Sequence, residues 1–168
     1  QLAPTDTNGL VGAVAFAREC RAAGIRPIIG MTVTVALPAE DLPPDTLARQ
    51  GQLVLLATGP EGYRSLCRLS SLYRADPDRE RRARGGLRWS ELRDHTNGLM
   101  CVTGGRGCWL ERFLRAGNPR GATRYVARLG GLFDERCSLA VSPQLLAGEL
   151  RPLADEFVAL SHRFGPRS

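Results

Sequence analysis

The apolar positions of this chain change period several times, and those changes divide it into elements. Across residues 10–23, Val11, Val14, Ala17 and Cys20 recur at helical spacing. Asn8, just upstream, has the short polar side chain of a helix N-cap, and Gly24 stands where a left-handed residue commonly ends a helix. Thr5-Asp6-Thr7 before this helix reads as a strand end. After it, Pro27-Ile28-Ile29-Gly30 is a short apolar run and Met31-Thr32-Val33-Thr34-Val35 alternates with period two. One strand kinked at Gly30, or two consecutive strands, fits both.

Residues 37–50 carry Pro38, Pro43 and Pro44 among acids and read as a loop. A strand is predicted over 52–57, around Leu53-Val54-Leu55-Leu56. Gly59-Pro60 then turns into a helix over 61–73, with Tyr63, Leu66, Cys67 and Leu69 near helical spacing. Residues 74–86, dense in Asp, Arg and Glu, read as a solvated loop. A short helix over 87–92 leads through His95 to a strand over 99–103. Gly104-Gly105-Arg106-Gly107 then turns into a helix bearing Trp109, Leu110, Phe113 and Leu114. Asn118-Pro119 supplies a cap and a first-turn proline for a helix to about 132. A strand over 137–141 and a helix over 152–164 complete the order. Such alternation predicts an α/β layer or barrel with mostly parallel strands.

Composition fits one ordinary globular domain. The 168 residues are 43% hydrophobic and 24% charged, which is enough to bury a core without disulfides. No apolar run approaches the roughly 18 residues of a membrane span, so no membrane partner is expected. The chain starts at Gln1, almost inside a motif, and is expected to be a piece of something longer. Its net charge is +6, and all 23 basic residues are Arg, a bias that GC-rich codon usage explains. Arg presents a planar fork of donors, so a phosphate-bearing partner is permitted. Five cysteines without a CxxC pair read as small buried hydrophobes in a reducing, cytoplasmic setting.

Chemistry-bearing residues are sparse. Asp6 is the first suspect, because ligands of α/β proteins gather at strand ends. His95 and His162 are the two histidines, neither at metal-ligand spacing. Gly104 to Gly107 lies where backbone N–H groups can cradle phosphate, but it matches no P-loop or dinucleotide fingerprint. A tight strand-to-helix turn is the default for this loop, and Arg106 within it, with Arg79, Arg81, Arg82 and Arg84, is a candidate phosphate contact. Pairing Cys101 or Cys108 with His95 as nucleophile and base finds no support in the spacing.

Four stretches together resemble the PHP domain of bacterial DNA polymerase III alpha subunits, closest to the error-prone branch. They are Thr5-Asp6-Thr7 with its helix and Ala23 to Gly30; Glu61 to Leu69; Gly98 to Gly107; and Ala116 to Phe133. The resemblance covers nearly all of the chain, taken as one PHP-like domain over 1–168. It implies a distorted (β/α) barrel, here incomplete at both ends, with the first and last strands outside this chain. It also implies up to three divalent ions (Zn, Mn or Mg) at strand ends, with phosphoesterase or 3′-to-5′ exonuclease chemistry in some members.

Carried over by position, Asp6 is the residual metal ligand. Thr7 stands where the family has His, Thr32 where it has Glu, and Gln144 near another family histidine. Replacing an imidazole and a carboxylate by hydroxyls removes the donors a transition metal needs. The expectation is therefore a degenerate domain with no cofactor and no catalytic residue. It would support DNA synthesis alongside the rest of a polymerase chain or replication and repair proteins, with weak, non-specific DNA contact at most. A divergent metal-dependent phosphoesterase or exonuclease and a free-standing binding module are the alternatives.

Overall fold

The computed structural model describes residues 1–37, 50–103 and 107–139. Strands β1 (Thr5–Thr7), β2 (Gly30–Ala36), β3 (Gln50–Ala57), β4 (Leu99–Thr103) and β5 (Cys137–Leu139) form one sheet in chain order. Helix α1 (Ala13–Ala22) joins β1 to β2. Helices α2 (Pro60–Ala75), α3 (Arg79–Gly85) and α4 (Trp89–Arg93) separate β3 from β4, and α5 (Trp109–Arg115) and α6 (Pro119–Phe133) precede β5. The predicted α/β class holds, but the strands are not mostly parallel. β1–β2 and β4–β5 are parallel, whereas β2–β3 and β3–β4 are antiparallel. A parallel return needs a crossover, usually a helix, and the proline-rich sequence after β2 offers no helical pattern. Among the described residues β1 and β5 do not pair with each other, so the sheet is an open mixed sheet and not a closed barrel.

Register sorts the strand residues onto two faces. Met31 pairs with Leu55 and Val33 with Leu53; Leu55 pairs with Cys101, and Cys101 with Cys137. These side chains are buried in one core with Leu66, Leu69 and Tyr73 of α2, Leu92 of α4, Trp109 and Phe113 of α5, and Val126, Leu129 and Phe133 of α6. The opposite face carries Thr32, Val54, Leu56, Met100 and Val102, all half-buried.

Local chemistry explains the better-defined helix ends. After α1, Gly24 takes a left-handed φ of 68°; its N–H reaches Arg21 O at 3.1 Å, and Ile25 N–H reaches Cys20 O at 2.8 Å. Asn118 serves two helices. Its N–H donates to Phe113 O at the end of α5, and its Oδ1 accepts from Gly121 N–H at the start of α6. Helix α2 lies so close to the turn before β4 that a Cβ at Gly62 would overlap the Gly98 carbonyl.

Three expectations are corrected. Helix α1 turns Ala13, Ala17 and Cys20 inward, while Val11 is 82% and Val14 73% exposed. Both stripes fit helical spacing, and the alanine stripe allows the closer approach. Asn8 does not cap that helix, whose N-cap is Gly12 without a side-chain bond. Residues 79–85 are helical, not a solvated loop: Asp78 caps α3 by accepting from Arg81 N–H at 2.8 Å, and Arg82 is drawn inward.

Candidate functional site

The edge of β2 beside β1 gathers the positions that the resemblance singles out. Thr7 is the register partner of Thr32, so their side chains lie side by side on the sheet face away from the core. Thr32 Oγ1 donates to Thr5 O at 3.1 Å. Asp6 pairs with Met31 and, by strand alternation, projects to the other face. There it is exposed, its Oδ2 lying 3.8 Å from the point a Cβ on Gly12 would occupy.

Beyond Thr32 the edge is closed by hydrogen bonds. Asn8, with φ at 55°, donates its N–H to Thr32 O at 2.7 Å. Its Oδ1 accepts from Thr34 N–H at 2.8 Å and its Nδ2 donates to Thr34 Oγ1 at 3.1 Å. Leu87 continues the pairing: its N–H reaches Thr34 O at 2.8 Å and its carbonyl accepts from Ala36 N–H at 2.9 Å. Tyr73 adds a hydroxyl bond to Thr34 O at 2.6 Å, and burial, its largest influence, pushes its phenol well up. Most donors of this edge, Thr32 Oγ1 and the Tyr73 hydroxyl among them, are therefore committed to backbone carbonyls.

A divalent ion does not fit this set of residues. Two neutral hydroxyls and one carboxylate on the opposite face lack the imidazole and thiolate donors of a zinc site and the convergence of a magnesium site. Among the described residues no group of three or more His, Cys, Asp or Glu could hold a metal ion. Arg106, Gln144 and His162 lie outside the described residues. His95 is half-buried after α4, with Nδ1 buried and unpartnered, and belongs to no such group.

The arginines expected to be free for phosphate are largely engaged. Arg82, with its side chain 12% exposed, donates to Glu91 Oε2 at 2.8 Å and to Gly86 O at 3.2 Å, and its guanidinium lies 5.8 Å from the Tyr73 ring centre. Arg81 pairs with Asp78 at 3.5 Å and Arg84 with Glu80 at 3.6 Å, both at the surface. For Arg79 the structure describes the backbone position, the first residue of α3. Sequence reasoning missed Glu91. The visible signal was its place three residues after Arg88, whose N–H it accepts at 2.8 Å.

Burial pushes the Glu91 carboxyl up, but the Arg88 N–H and the Arg82 and Arg88 guanidinium groups outweigh it and hold the carboxyl below its ordinary value. The folded pKa thus lies under the unfolded one of about 4.3, so the stabilisation is complete above that pH and is lost as pH falls through the folded value. Glu91→Gln is expected to lower stability at neutral pH and to flatten the decline below about pH 4, as read by urea unfolding across pH.

An open cleft of about 690 Å³ lies elsewhere, beyond the Gly30–Leu56 end of the sheet. Ala13, Val14, Ile28, Leu56, Tyr63 and Met100 supply apolar wall. Arg21 and Arg26 also line it, neither of them in an ion pair among the described residues. Asp6, Thr7 and Thr32 are not part of it.

Comparison with known proteins supplies the family. Residues 1–143 match the PHP domain. The chain is 29% identical over 148 residues to a DNA polymerase III subunit alpha of Bacillus subtilis, covering 88% of this chain and 11% of that protein. It is 34% identical over 121 residues to the DNA polymerase III subunit alpha of Halalkalibacterium halodurans, covering 69% and 10%. An error-prone DNA polymerase of Symbiobacterium thermophilum is 31% identical over 163 residues, covering 88% and 14%. The chain thus spans roughly a tenth of the length of these curated relatives. No helix among the described residues is long and apolar enough to cross a membrane. With more than four-fifths of its length matched and the mixed sheet in place, this chain belongs to the PHP domain family.

Proposed function

We propose that this PHP domain acts as a structural module of a bacterial DNA polymerase III alpha or error-prone polymerase, with its metal-dependent phosphodiester chemistry lost. The observation that carries the reading is the pairing of Thr7 with Thr32 on one face, two hydroxyls where the family resemblance expects an imidazole and a carboxylate. Around them, Asn8, Thr34 and Leu87 form a closed backbone network. The retained core supports the same reading, as does the cleft, whose exposed Val14 and Tyr63 offer apolar surface to the remainder of a polymerase chain. DNA contact through the arginines is weak and salt-dependent, because Arg81, Arg82 and Arg84 already face carboxylates.

Metal analysis of the purified chain tests this directly. Zinc and manganese are expected to be sub-stoichiometric, unaffected by Asp6→Asn, and single-stranded DNA is expected to keep its 3′ end in the presence of Mn²⁺. Tightly held, stoichiometric metal with phosphodiester hydrolysis, lost in Asp6→Asn, would establish the divergent phosphoesterase instead.

A further inference from the structure

One buried cluster takes no part in the reading above. Cys101 of β4 and Cys137 of β5 are register partners on adjacent parallel strands, and both are buried on the core face. Neighbouring strands run about 4.8 Å apart, which falls inside the Cα separation that a disulfide spans. Cys108, also buried, and the hydroxyls of Thr103 and Tyr125 complete the surroundings. Thr103 Oγ1 lies between Tyr125 Oη and the Cys108 thiol, so the three cysteines share a small polar cluster inside the apolar core. Burial pushes the Tyr125 phenol well up, and the three thiols bear on it electrostatically.

We infer that Cys101 and Cys137 are a redox-active dithiol, oxidised by a hydroperoxide to a reversible disulfide that ties strand β5 to β4. The two thiols are not equivalent. A hydrogen bond from Cys101 holds the Cys137 thiol below its ordinary range against the effect of burial, whereas the same bond and burial push Cys101 up. Cys137, 8% exposed where Cys101 is wholly enclosed, is the thiol a peroxide reaches first and is the attacking sulfur. Its sulfur displaces hydroxide from the peroxide: an S–O bond forms, the O–O bond breaks, and the hydroxide leaves as water with the proton Cys137 gave up. The Cys101 sulfur then attacks the Cys137 sulfenic acid, forming the S–S bond and breaking S–O, and its own proton leaves with the second hydroxide. Two thiols and one hydrogen peroxide give one disulfide and two waters.

Trypsin places the three clustered cysteines on separate peptides, residues 94–106, residues 107–112 and the peptide beginning at Cys137, because the chain has arginines between them and no lysine. The folded chain is treated with hydrogen peroxide, digested and mass-mapped with and without dithiothreitol. A linked Cys101–Cys137 species lighter by two hydrogen masses is expected, together with a raised thermal midpoint that dithiothreitol reverses. In Cys101→Ser a dimedone-trappable sulfenic acid is expected on Cys137, whereas in Cys137→Ser the Cys101 thiol stays reduced. Oxidation confined to the half-buried Cys67, a Cys101–Cys108 link, or a Cys101–Cys137 link that forms only in denaturant would overturn the proposal.

Discussion

Trp109→Ala is expected to lower the unfolding free energy by about 3–5 kcal/mol, the range for truncating a fully buried aromatic side chain. Trp109 opens α5 and is completely buried. Its ring fills the space over Gly51, where a Cβ would strike Cδ1, so the strand and the ring were fitted to one another at a position that carries no side chain. Its Nε1–H donates to Val35 O at 3.2 Å, the Arg112 guanidinium stands 5.2 Å from its centre, and Phe113 packs at 6.1 Å. Truncation opens a cavity between α5 and the β2–β3 pair and leaves the Val35 carbonyl without that donor. Trp109→Phe keeps most of the apolar volume and should cost about 1–2 kcal/mol, most of it from the orphaned carbonyl. Urea denaturation followed by circular dichroism reads both. A loss below that of the Phe variant would mean the site collapses around the missing ring.

Arg115→Ala is the second large effect, at about 3 kcal/mol. Glu111 lies inside α5 with its residue surface 1% exposed, and its Oε1 accepts from Arg115 Nε and Nη2, each at 2.8 Å. Its Oε2 is buried with no partner. Removing the guanidinium strands a carboxylate in the core, which is far more damaging than losing an exposed ion pair. The Arg115 side chain is 41% exposed, and its contact with water sets the loss at the lower end of the range for buried pairs. Adding Glu111→Leu to Arg115→Ala should recover most of the stability, since no charge is then left in an apolar place. A double variant as unstable as Arg115→Ala alone would show that the helix position, and not the stranded charge, sets the cost.

The elements that were plain in the sequence are those whose signals are local. Asn118-Pro119 announced α6, Gly24 closed α1, and the alternation from Met31 to Val35 gave β2 its faces, because capping geometry and strand period depend on a few adjacent residues. Helix α3 was hidden for the opposite reason. Its charges look like a solvated run until Glu91 and Tyr73, from two other elements, are brought up to Arg82. In α1 the small residues Ala13 and Ala17 carry the burial, and a reading weighted by hydrophobic size picks Val11 and Val14 instead. Antiparallel pairing of β2 with β3 was indicated by the missing helical pattern after β2, a cue outweighed by the regular alternation elsewhere, whereas β3 and β4 are antiparallel despite the three helices between them. At the site, the family resemblance singled out Thr7 and Thr32 in the sequence. That they are register partners on one face, while Asp6 lies on the other, depends on strand pairing.

The two-residue pleat of β2 has a consequence for how such a domain changes over generations. Met31, Val33 and Val35 face the packed helices, and Thr32 and Thr34 face the other way. Substitution at Thr7 or Thr32 leaves every core side chain of the strand in place and gives up only the Thr32 Oγ1 bond to Thr5 O, so selection for a sound fold bears lightly on what those two positions carry. A lineage can shed or regain reactive groups there without passing through an unfolded intermediate, whereas a one-residue slip of the same strand would exchange the two faces and destroy both.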